Sequence, residues 1–325
     1  MTHLFIVNPA AGKHDRTELV RREAARVCGA RGLSYRVEVS QCPGDCRRIA
    51  REAALSGEPL RLYACGGDGT LNEVVSGIVG FPNVSVTHYA GGSGNDFVKI
   101  FGAVEPFQDL ERLLDCQETD FDLIRCNDSY ALNVCSVGFD ARIGTEVARY
   151  KRLPLVSGSM AYLLSAVANL VKGVTEHYVV QIDGRTYDGR QTMICVCSGR
   201  YYGGGFNPVP EADPTDGLLD VLLVGPVSRR KVLDVIGIYK AGRYREIPEL
   251  VRHIRTDRVK VLCDGPTSIN LDGELRRACE AEFSVAGEKV RFFYPRGLSF
   301  APAESGCRTD REAQTCPAGG QAPKQ

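Results

Sequence analysis

The residues most suited to chemistry lie in a glycine-rich turn at positions 66–69, which follows a buried apolar run. Glycines after a strand let the backbone approach a ligand closely, because no Cβ intervenes. The helix predicted beyond them would offer unpaired N–H groups to a phosphate. Asp68 would repel that phosphate unless a cation lay between them, so the turn indicates a Mg²⁺–nucleotide. The alternative is a structural turn in which Asp68 only caps the helix.

Two further turns of small residues are predicted at the same edge of a sheet. Asn8-Pro9-Ala10-Ala11-Gly12 ends the first apolar run, and residues 91–96 (Gly-Gly-Ser-Gly-Asn-Asp) end the fourth. Ligands of open α/β sheets bind where parallel strands have their carboxyl ends. The chain matches neither Walker A nor GxGxxG, so we expect backbone amides and small hydroxyls to hold the phosphate.

The elements that must position these turns alternate between strand and helix over the first 125 residues. This pattern predicts a parallel sheet covered by helices, with Thr70 and Glu73 as a capping box for the third helix. Strands are predicted at 4–8, 35–39, 60–65 and 84–90, and helices at 16–31, 45–55, 70–78 and 107–114.

Beyond residue 120 short strands follow one another, and turn signals such as Asp264-Gly265 and Ala286-Gly287 separate them. We therefore predict an α/β N-terminal domain followed by a β-rich antiparallel sandwich domain. Helical inserts are expected at 142–152, 160–172 and 229–241. The predicted domains are 1–122, with 296–302 as a candidate completion, and 123–295, followed by a disordered tail at 303–325.

Composition excludes several classes of protein. Forty basic residues balance forty acidic ones, which argues against a nucleic-acid binder. No apolar stretch approaches the ~20 residues of a spanning helix, and no secretory signal is visible. The thirteen cysteines mostly replace small apolar residues in predicted strands, which indicates reduced thiols and a cytoplasmic location.

The ordered set Asn-Pro-x-x-Gly, Gly-Gly-Asp-Gly-Thr-x-Asn-Glu and Gly-x-Ser-Gly-Asn-Asp resembles the diacylglycerol kinase catalytic domain. The bacterial soluble lipid kinases of the diacylglycerol kinase and YegS type are the nearest in pattern, over about residues 2–300. This resemblance implies a fold like that of NAD and diacylglycerol kinases. It also implies Mg²⁺-dependent transfer of phosphate from ATP to a lipid hydroxyl, with diacylglycerol as the expected acceptor and ATP between the two domains.

The resemblance further implies which residues contact ATP, with Ser93 standing where the family usually has Thr. They are Asn8, Pro9, Ala10, Ala11, Gly12, Ser40, Gly66, Gly67, Asp68, Gly69, Thr70, Leu71, Asn72 and Ser93.

A metal site is implied in the second half. The family's Asp-Gly-x-Leu-Asp segment matches residues 216–220, and the resemblance places Mg²⁺ on Asp213, Asp216 and the main-chain oxygen of Leu218. Carboxylates spaced three residues apart in a turn, with a carbonyl, suit a hard cation. Taken alone, the same residues indicate an Asx turn before a strand.

The catalytic base implied by the resemblance is Glu274, which follows a predicted tight turn at Asp272-Gly273. In the sphingosine kinase branch, the aspartate of the Gly-Gly-Asp-Gly turn has this role, so Asp68 is the alternative base. Without the resemblance, residues 272–274 indicate a simple hairpin.

A lipid acceptor requires transient docking on a membrane, for which Arg149, Lys151 and Arg152 form a candidate basic patch. The alternatives are a kinase of a sphingoid or undecaprenol-like lipid, an NAD-kinase-like enzyme with a soluble substrate, and a nucleotide-responsive module without turnover. A homodimer is left open.

Overall fold

The computed structural model describes residues 1–151, 164, 165, 168–170 and 173–300. The side chains of Arg149 and Lys151, residue Arg152, most of the helix predicted over 160–172 and the tail predicted over 303–325 lie outside the described residues. Every cysteine within the described ranges is a free thiol, as predicted.

The first half is the predicted α/β unit. Its parallel strands are β1 (Thr2–Val7), β2 (Tyr35–Val39), β3 (Leu60–Gly66) and β4 (Val84–Ala90). Its helices are α1 (Thr17–Ala30), α2 (Asp45–Ala54) and α3 (Asp68–Ile78). The strands lie in the order β2-β1-β3-β4, and each helix packs its apolar side on them, as α1 does with Val20, Ala24 and Val27.

Two local predictions in this half were wrong. Helix α3 begins at Asp68 with Gly67 as its N-cap, so Thr70 lies inside the helix and the capping box does not form. Glu73 instead accepts a hydrogen bond from the N–H of Gly44, 3.0 Å away. The helix predicted over 107–114 is split into a short 3₁₀ helix (Glu105–Gln108) and α4 (Leu110–Leu114), and another 3₁₀ helix (Phe97–Phe101) follows the third turn.

The second half is the predicted antiparallel, β-rich unit with helical inserts. Its strands continue the same sheet, in the order β12-β11-β10-β7-β13-β14-β4. The elements are β5 (Cys116–Cys126), β6 (Ser129–Ala131), β7 (Val134–Gly138), α5 (Phe139–Lys151), β8 (Glu176–Ile182), β9 (Arg185–Gln191), β10 (Met193–Cys197), β11 (Leu219–Val224), α6 (Arg229–Lys240), β12 (Val251–Thr256), β13 (Arg258–Leu271) and β14 (Glu274–Pro295).

The last two strands are longer than predicted. Asp264-Gly265 and Ala286-Gly287 do not end strands but lie at register shifts inside β13 and β14. Bulges of this kind absorb extra residues without breaking the ladder. Strands β9 and β12 were not predicted, because their exposed faces are too polar to show clear alternation.

Strand β14 belongs to both halves. It pairs antiparallel with β13 and β5, and Phe292 lies opposite Val86 of the parallel strand β4. Phe292 and Phe293 are fully buried in the core of the first half. The two halves therefore share one strand, and the domain limits drawn from the sequence stay a prediction. Over the described residues, no helix is long and apolar enough to cross a membrane.

Candidate active site

The three predicted turns meet at one edge of the sheet. Val7 is level with Val39 and Cys65, and Gly66 is level with Ala90, so the four parallel strands end together. A Cβ added to Gly12 would lie 2.4 Å from the oxygen of Gly91, and one added to Gly92 would lie 2.4 Å from the Cα of Gly67. The glycines are required because the backbones of the three turns touch.

Asn8 joins the first turn to helix α3. Its Nδ2 donates to Thr70 Oγ1 at 3.1 Å, and its Oδ1 accepts from the N–H of Ala10 at 3.0 Å. The N–H of Ala11 donates to the carbonyl of Asn8, which closes the turn that contains Pro9. The first turn and the start of α3 thus form one cradle of backbone and small side chains.

Asp68, the first residue of α3, links the second turn to the third. Its Oδ1 accepts hydrogen bonds from the N–H groups of Asp96 at 2.5 Å and Phe97 at 3.4 Å. Burial raises the pKa of Asp68; His88 opposes this, and the neighbouring Asp96 carboxylate adds to it. Asp68 therefore fixes the third turn and is more than a helix cap.

Asp96 is a residue of this site that the sequence reasoning missed. It is buried, its Oδ1 forms an ion pair with Lys99 at 2.5 Å, and its Oδ2 accepts from the N–H of Gly204 at 2.7 Å. Gly204 belongs to the second half, so Asp96 connects the nucleotide-binding turns to the other half. Its place in the Gly-x-Ser-Gly-Asn-Asp motif was the available signal.

The remaining predicted ATP contacts differ in what they can offer. Ser93 is exposed at the tip of the third turn and is free to meet a ligand. Ser40 is buried at the end of β2, where its hydroxyl bonds the thiol of Cys46. Leu71 is buried in the core, so only its backbone could face a nucleotide.

Glu274 reaches this site from the second half. Asp272 and Gly273 both have positive φ, which gives the predicted tight hairpin turn between β13 and β14. The Oε1 of Glu274 accepts from Arg47 Nη2 at 2.8 Å and from Asn72 Nδ2 at 3.4 Å. Since Asn72 lies one turn after Asp68 in α3, the structure brings both candidate bases to the same helix.

Asp272 is a second residue that sequence reasoning missed. Its carboxylate accepts from the N–H groups of Leu132 at 2.6 Å, Asn133 at 3.0 Å and Val134 at 2.7 Å. Burial, with a smaller effect from the charge of Asp68, raises the pKa of Asp272 to about 6 despite these donors. Asp272 therefore anchors the hairpin that presents Glu274.

The predicted metal residues lie together in one turn but do not form a metal centre. Asp213 Oδ1 accepts from the N–H and hydroxyl of Thr215, at 3.0 and 2.6 Å, and Asp216 Oδ1 accepts from the N–H of Leu218 at 3.0 Å. The Oδ2 of Asp216 contacts the guanidinium of Arg255. These are the contacts of a capped turn.

The turn therefore does not fit Mg²⁺ while Arg255 holds Asp216. Across the part of the chain that the structure describes, no three His, Cys, Asp or Glu side chains are gathered to hold a metal. Magnesium on Asp213, Asp216 and Leu218 stays a prediction.

Two family models match successive parts of the chain. The model described as "Diacylglycerol kinase catalytic domain" matches residues 2–126, and the one described as "YegS C-terminal NAD kinase beta sandwich-like domain" matches residues 133–294. Together they cover the three turns, the Asp213–Leu218 turn and Glu274.

Curated relatives and solved structures agree with these matches. A protein of Staphylococcus aureus named "Putative lipid kinase" is 28% identical over 261 residues, covering 78% of this chain and 85% of its own length. One of Staphylococcus carnosus with the same name is 26% identical, covering 72% of this chain and 76% of its own length. A solved structure described as a diacylglycerol kinase from Bacillus anthracis has a TM-score of 0.65 at 17% identity, covering 92% of this chain and 98% of its own, and so shares the fold.

Proposed function

Since this chain belongs to the lipid kinase family that combines a diacylglycerol kinase catalytic domain with a YegS-type C-terminal domain, we propose that it phosphorylates diacylglycerol. The hydroxyl of the lipid attacks the γ-phosphate of ATP and yields phosphatidate and ADP. The observation that carries this proposal is that Asp68 begins helix α3 and Glu274 contacts the same helix at Asn72, beside three turns whose backbones touch at Gly12 and Gly92.

In this proposal the three turns hold the phosphates of ATP. Their backbone N–H groups and the hydroxyls of Thr70 and Ser93 supply donors at the N-terminus of α3. Phosphoryl transfer depends mainly on positioning and on neutralising charge, which a rigid cradle achieves at little cost in reorganisation.

Mg²⁺ is proposed to accompany ATP and to neutralise its phosphates. Asp68 would hold it, because its carboxylate lies at the junction of the second and third turns, whereas the carboxylate of Asp96 is already held by Lys99 and Gly204. Burial is the main cause of the raised pKa of Asp68 and the Asp96 carboxylate adds to it, so a cation beside Asp68 would favour its charged form.

Glu274 is proposed as the base that accepts the proton of the lipid hydroxyl. Arg47 and Asn72 hold its carboxylate against the first half of the chain, although the residue lies at the start of β14. Asp68 is the alternative base. The two halves would thus assemble donor and acceptor in the cleft between them, which limits hydrolysis of ATP by water.

The lipid resides in a bilayer, so the proposed enzyme must dock transiently on the membrane. We place the enzyme in the cytoplasm on the ground of its reduced cysteines. Equal numbers of acidic and basic residues mean that overall charge does not drive this docking. A local patch or an apolar surface must supply the attraction.

The proposal is tested by transfer of label from γ-³²P-ATP to lipids in mixed micelles, resolved by chromatography. The panel contains diacylglycerol, a sphingoid base, a polyprenol and NAD. We expect label in phosphatidate for the wild type and a loss of several orders of magnitude for Asp68→Ala. Asp128→Ala, which removes an exposed aspartate from the turn between β5 and β6, is the matched control. Label in another acceptor would contradict diacylglycerol as the substrate, and full activity of Asp68→Ala would contradict the site.

A further inference from the structure

The carboxylates around the Asp213–Leu218 turn are paired with cations of the protein itself. Asp220 lies directly opposite Arg255 in the antiparallel pair β11–β12. The Nε of Arg255 is 3.5 Å from Asp220 Oδ1, and its Nη2 contacts Asp216 Oδ2. One guanidinium therefore bridges the acidic turn and a carboxylate that is 2% exposed.

A second cation is placed on the other side of the turn. Asp122 of β5 accepts from the N–H of Gly217 at 2.8 Å, and its N–H donates to the oxygen of Pro214 at 2.7 Å. Lys289 of β14 lies 2.8 Å from the other carboxylate oxygen of Asp122. The backbone of the turn is thus held to β5 by a carboxylate whose charge is already compensated.

Asp213 is also satisfied within the protein, since one of its oxygens accepts two hydrogen bonds from Thr215. Burial lowers the pKa of Arg200, and the charge of Asp213 opposes this. A divalent cation on this turn would need oxygen ligands at ~2.0–2.6 Å and would lie against the guanidinium that already holds Asp216. Arg255 presents several donors in a planar fork and can serve two carboxylates at once.

We infer that Arg255 takes the place of a divalent cation at the Asp213–Leu218 turn, so that this turn folds without bound Mg²⁺. The cation that the family resemblance implied there is replaced by a side chain that the register of β11 and β12 fixes opposite Asp220. This inference does not depend on which lipid is phosphorylated, because it concerns the folded chain without nucleotide.

The test is the melting temperature of the protein without ATP, in EDTA and in millimolar Mg²⁺, for the wild type, Arg255→Lys, Arg255→Ala and Asp216→Asn. A ligand that binds only the folded state raises its melting temperature. We expect the melting temperature of the wild type to be the same in EDTA and in Mg²⁺. The melting temperature of Arg255→Lys should also be independent of Mg²⁺, because lysine keeps the charge. We expect Arg255→Ala to melt several degrees lower in EDTA and to recover part of this loss in Mg²⁺, because Asp216 then lacks its cation, while Asp220 keeps its contact with His253 at 2.6 Å.

Two results would overturn the inference. One is a rise of the wild-type melting temperature in Mg²⁺ that Asp216→Asn abolishes, since it would locate a metal on this turn. The other is an Arg255→Ala variant that melts like the wild type in both buffers, since Arg255 would then not hold the turn. If Arg255→Ala does not fold, the wild type, Arg255→Lys and Asp216→Asn still decide between a metal and a side chain. The lipid-labelling assay is a separate readout, so its failure leaves this result intact.

Discussion

Glu274 is part of the second half of the chain, but its position is set by residues of the first. Arg47 of α2 and Asn72 of α3 hold its Oε1, and Asp272 anchors the turn that precedes it. Of these partners, only Asp272 is near Glu274 in sequence, whereas Arg47 and Asn72 are 227 and 202 residues away. The other oxygen of Glu274, Oε2, lies 3.3 Å from Arg276 Nη2, so two arginines flank the carboxylate proposed as the base.

We expect Glu274→Gln to lower kcat by ~10²–10⁴-fold while the KM for ATP changes little, because glutamine keeps the shape but cannot accept the proton. Steady-state kinetics with the lipid identified by labelling measure this, with circular dichroism as the check on folding. Glu280→Gln, an exposed position on the same strand, is the control. A folded Glu274→Gln variant with wild-type kcat would move the base to Asp68.

The pH dependence of stability provides a test of Asp272. Its pKa is 3.8 in the unfolded chain and about 6 in the folded one. Between these values the folded chain keeps a proton that the unfolded chain has lost, so this group lowers the free energy of unfolding as the pH rises. Above about pH 6 its effect is constant.

Asp272→Asn removes this titration. We expect the free energy of unfolding of the wild type to fall toward that of the variant as the pH rises from 4 to 6. Above pH 6 the gap between the two should stay constant, as measured by urea unfolding at each pH. Asp128→Asn, which changes an exposed aspartate, is expected to show no such trend. A gap that is the same at all pH values would mean that folding does not raise the pKa of Asp272.

At the scale of elements, the glycine turns and the strands that end in them follow from local sequence. Paired glycines directly after a buried apolar run indicate a turn that the backbone must pass without side chains, and the parallel sheet fixes where such turns meet. The contacts between elements could not be predicted in the same way. Glu73 has capping-box spacing but bonds Gly44, and the carboxylate of Asp96 bonds Gly204, 108 residues away.

Strand β14 shows the same limit for secondary structure. Ala286-Gly287 has the composition of a turn, yet β5 pairs with the strand on both sides of it and β13 pairs with the part before it, so the strand extends over 22 residues. Arg255 similarly has the appearance of an exposed strand residue until β12 is paired with β11. Hydrogen bonds to distant partners decide these cases, and one sequence does not contain that information.

Gly92→Ala tests whether close contact between turns is needed for binding ATP. The new Cβ would lie 2.4 Å from the Cα of Gly67 and 3.0 Å from Asn95 Oδ1, so the second and third turns must separate. We expect a KM for ATP at least tenfold higher and a stability loss of ~1–3 kcal/mol, which is typical of overpacking. Gly29→Ala, in helix α1 with nothing within 4 Å, is the control and is expected to stabilise the helix slightly. Unchanged ATP binding in Gly92→Ala would show that the turns need not touch.

At the scale of the whole molecule, the shared strand makes the two halves depend on each other. The side chain of Phe292 packs in the core of the first half, with ring centroids 5.2 Å from Phe97 and 5.6 Å from Phe121. The same strand pairs with β13 in the core of the second half, where Phe283 is fully buried. Unfolding either half removes the partner of a strand in the other.

We therefore expect one cooperative unfolding transition for the described fold, and a cavity in one half should destabilise both. The chain has no Trp, so Tyr35→Trp in β2 and Tyr187→Trp in β9 report on the first and second cores separately. Phe292→Ala should lower the free energy of unfolding by ~3–5 kcal/mol, and the two reporters should shift together in urea because β14 carries the loss to both sides. The opposite result would be a Phe292→Ala variant in which the urea midpoint reported by Trp at position 35 falls while the midpoint reported by Trp at position 187 does not change. The two halves would then be independent domains. The contacts of Glu274 with α2 and α3 would then form by docking of two separately folded units. Binding of substrate, and not the shared strand β14, would have to bring Glu274 to α3.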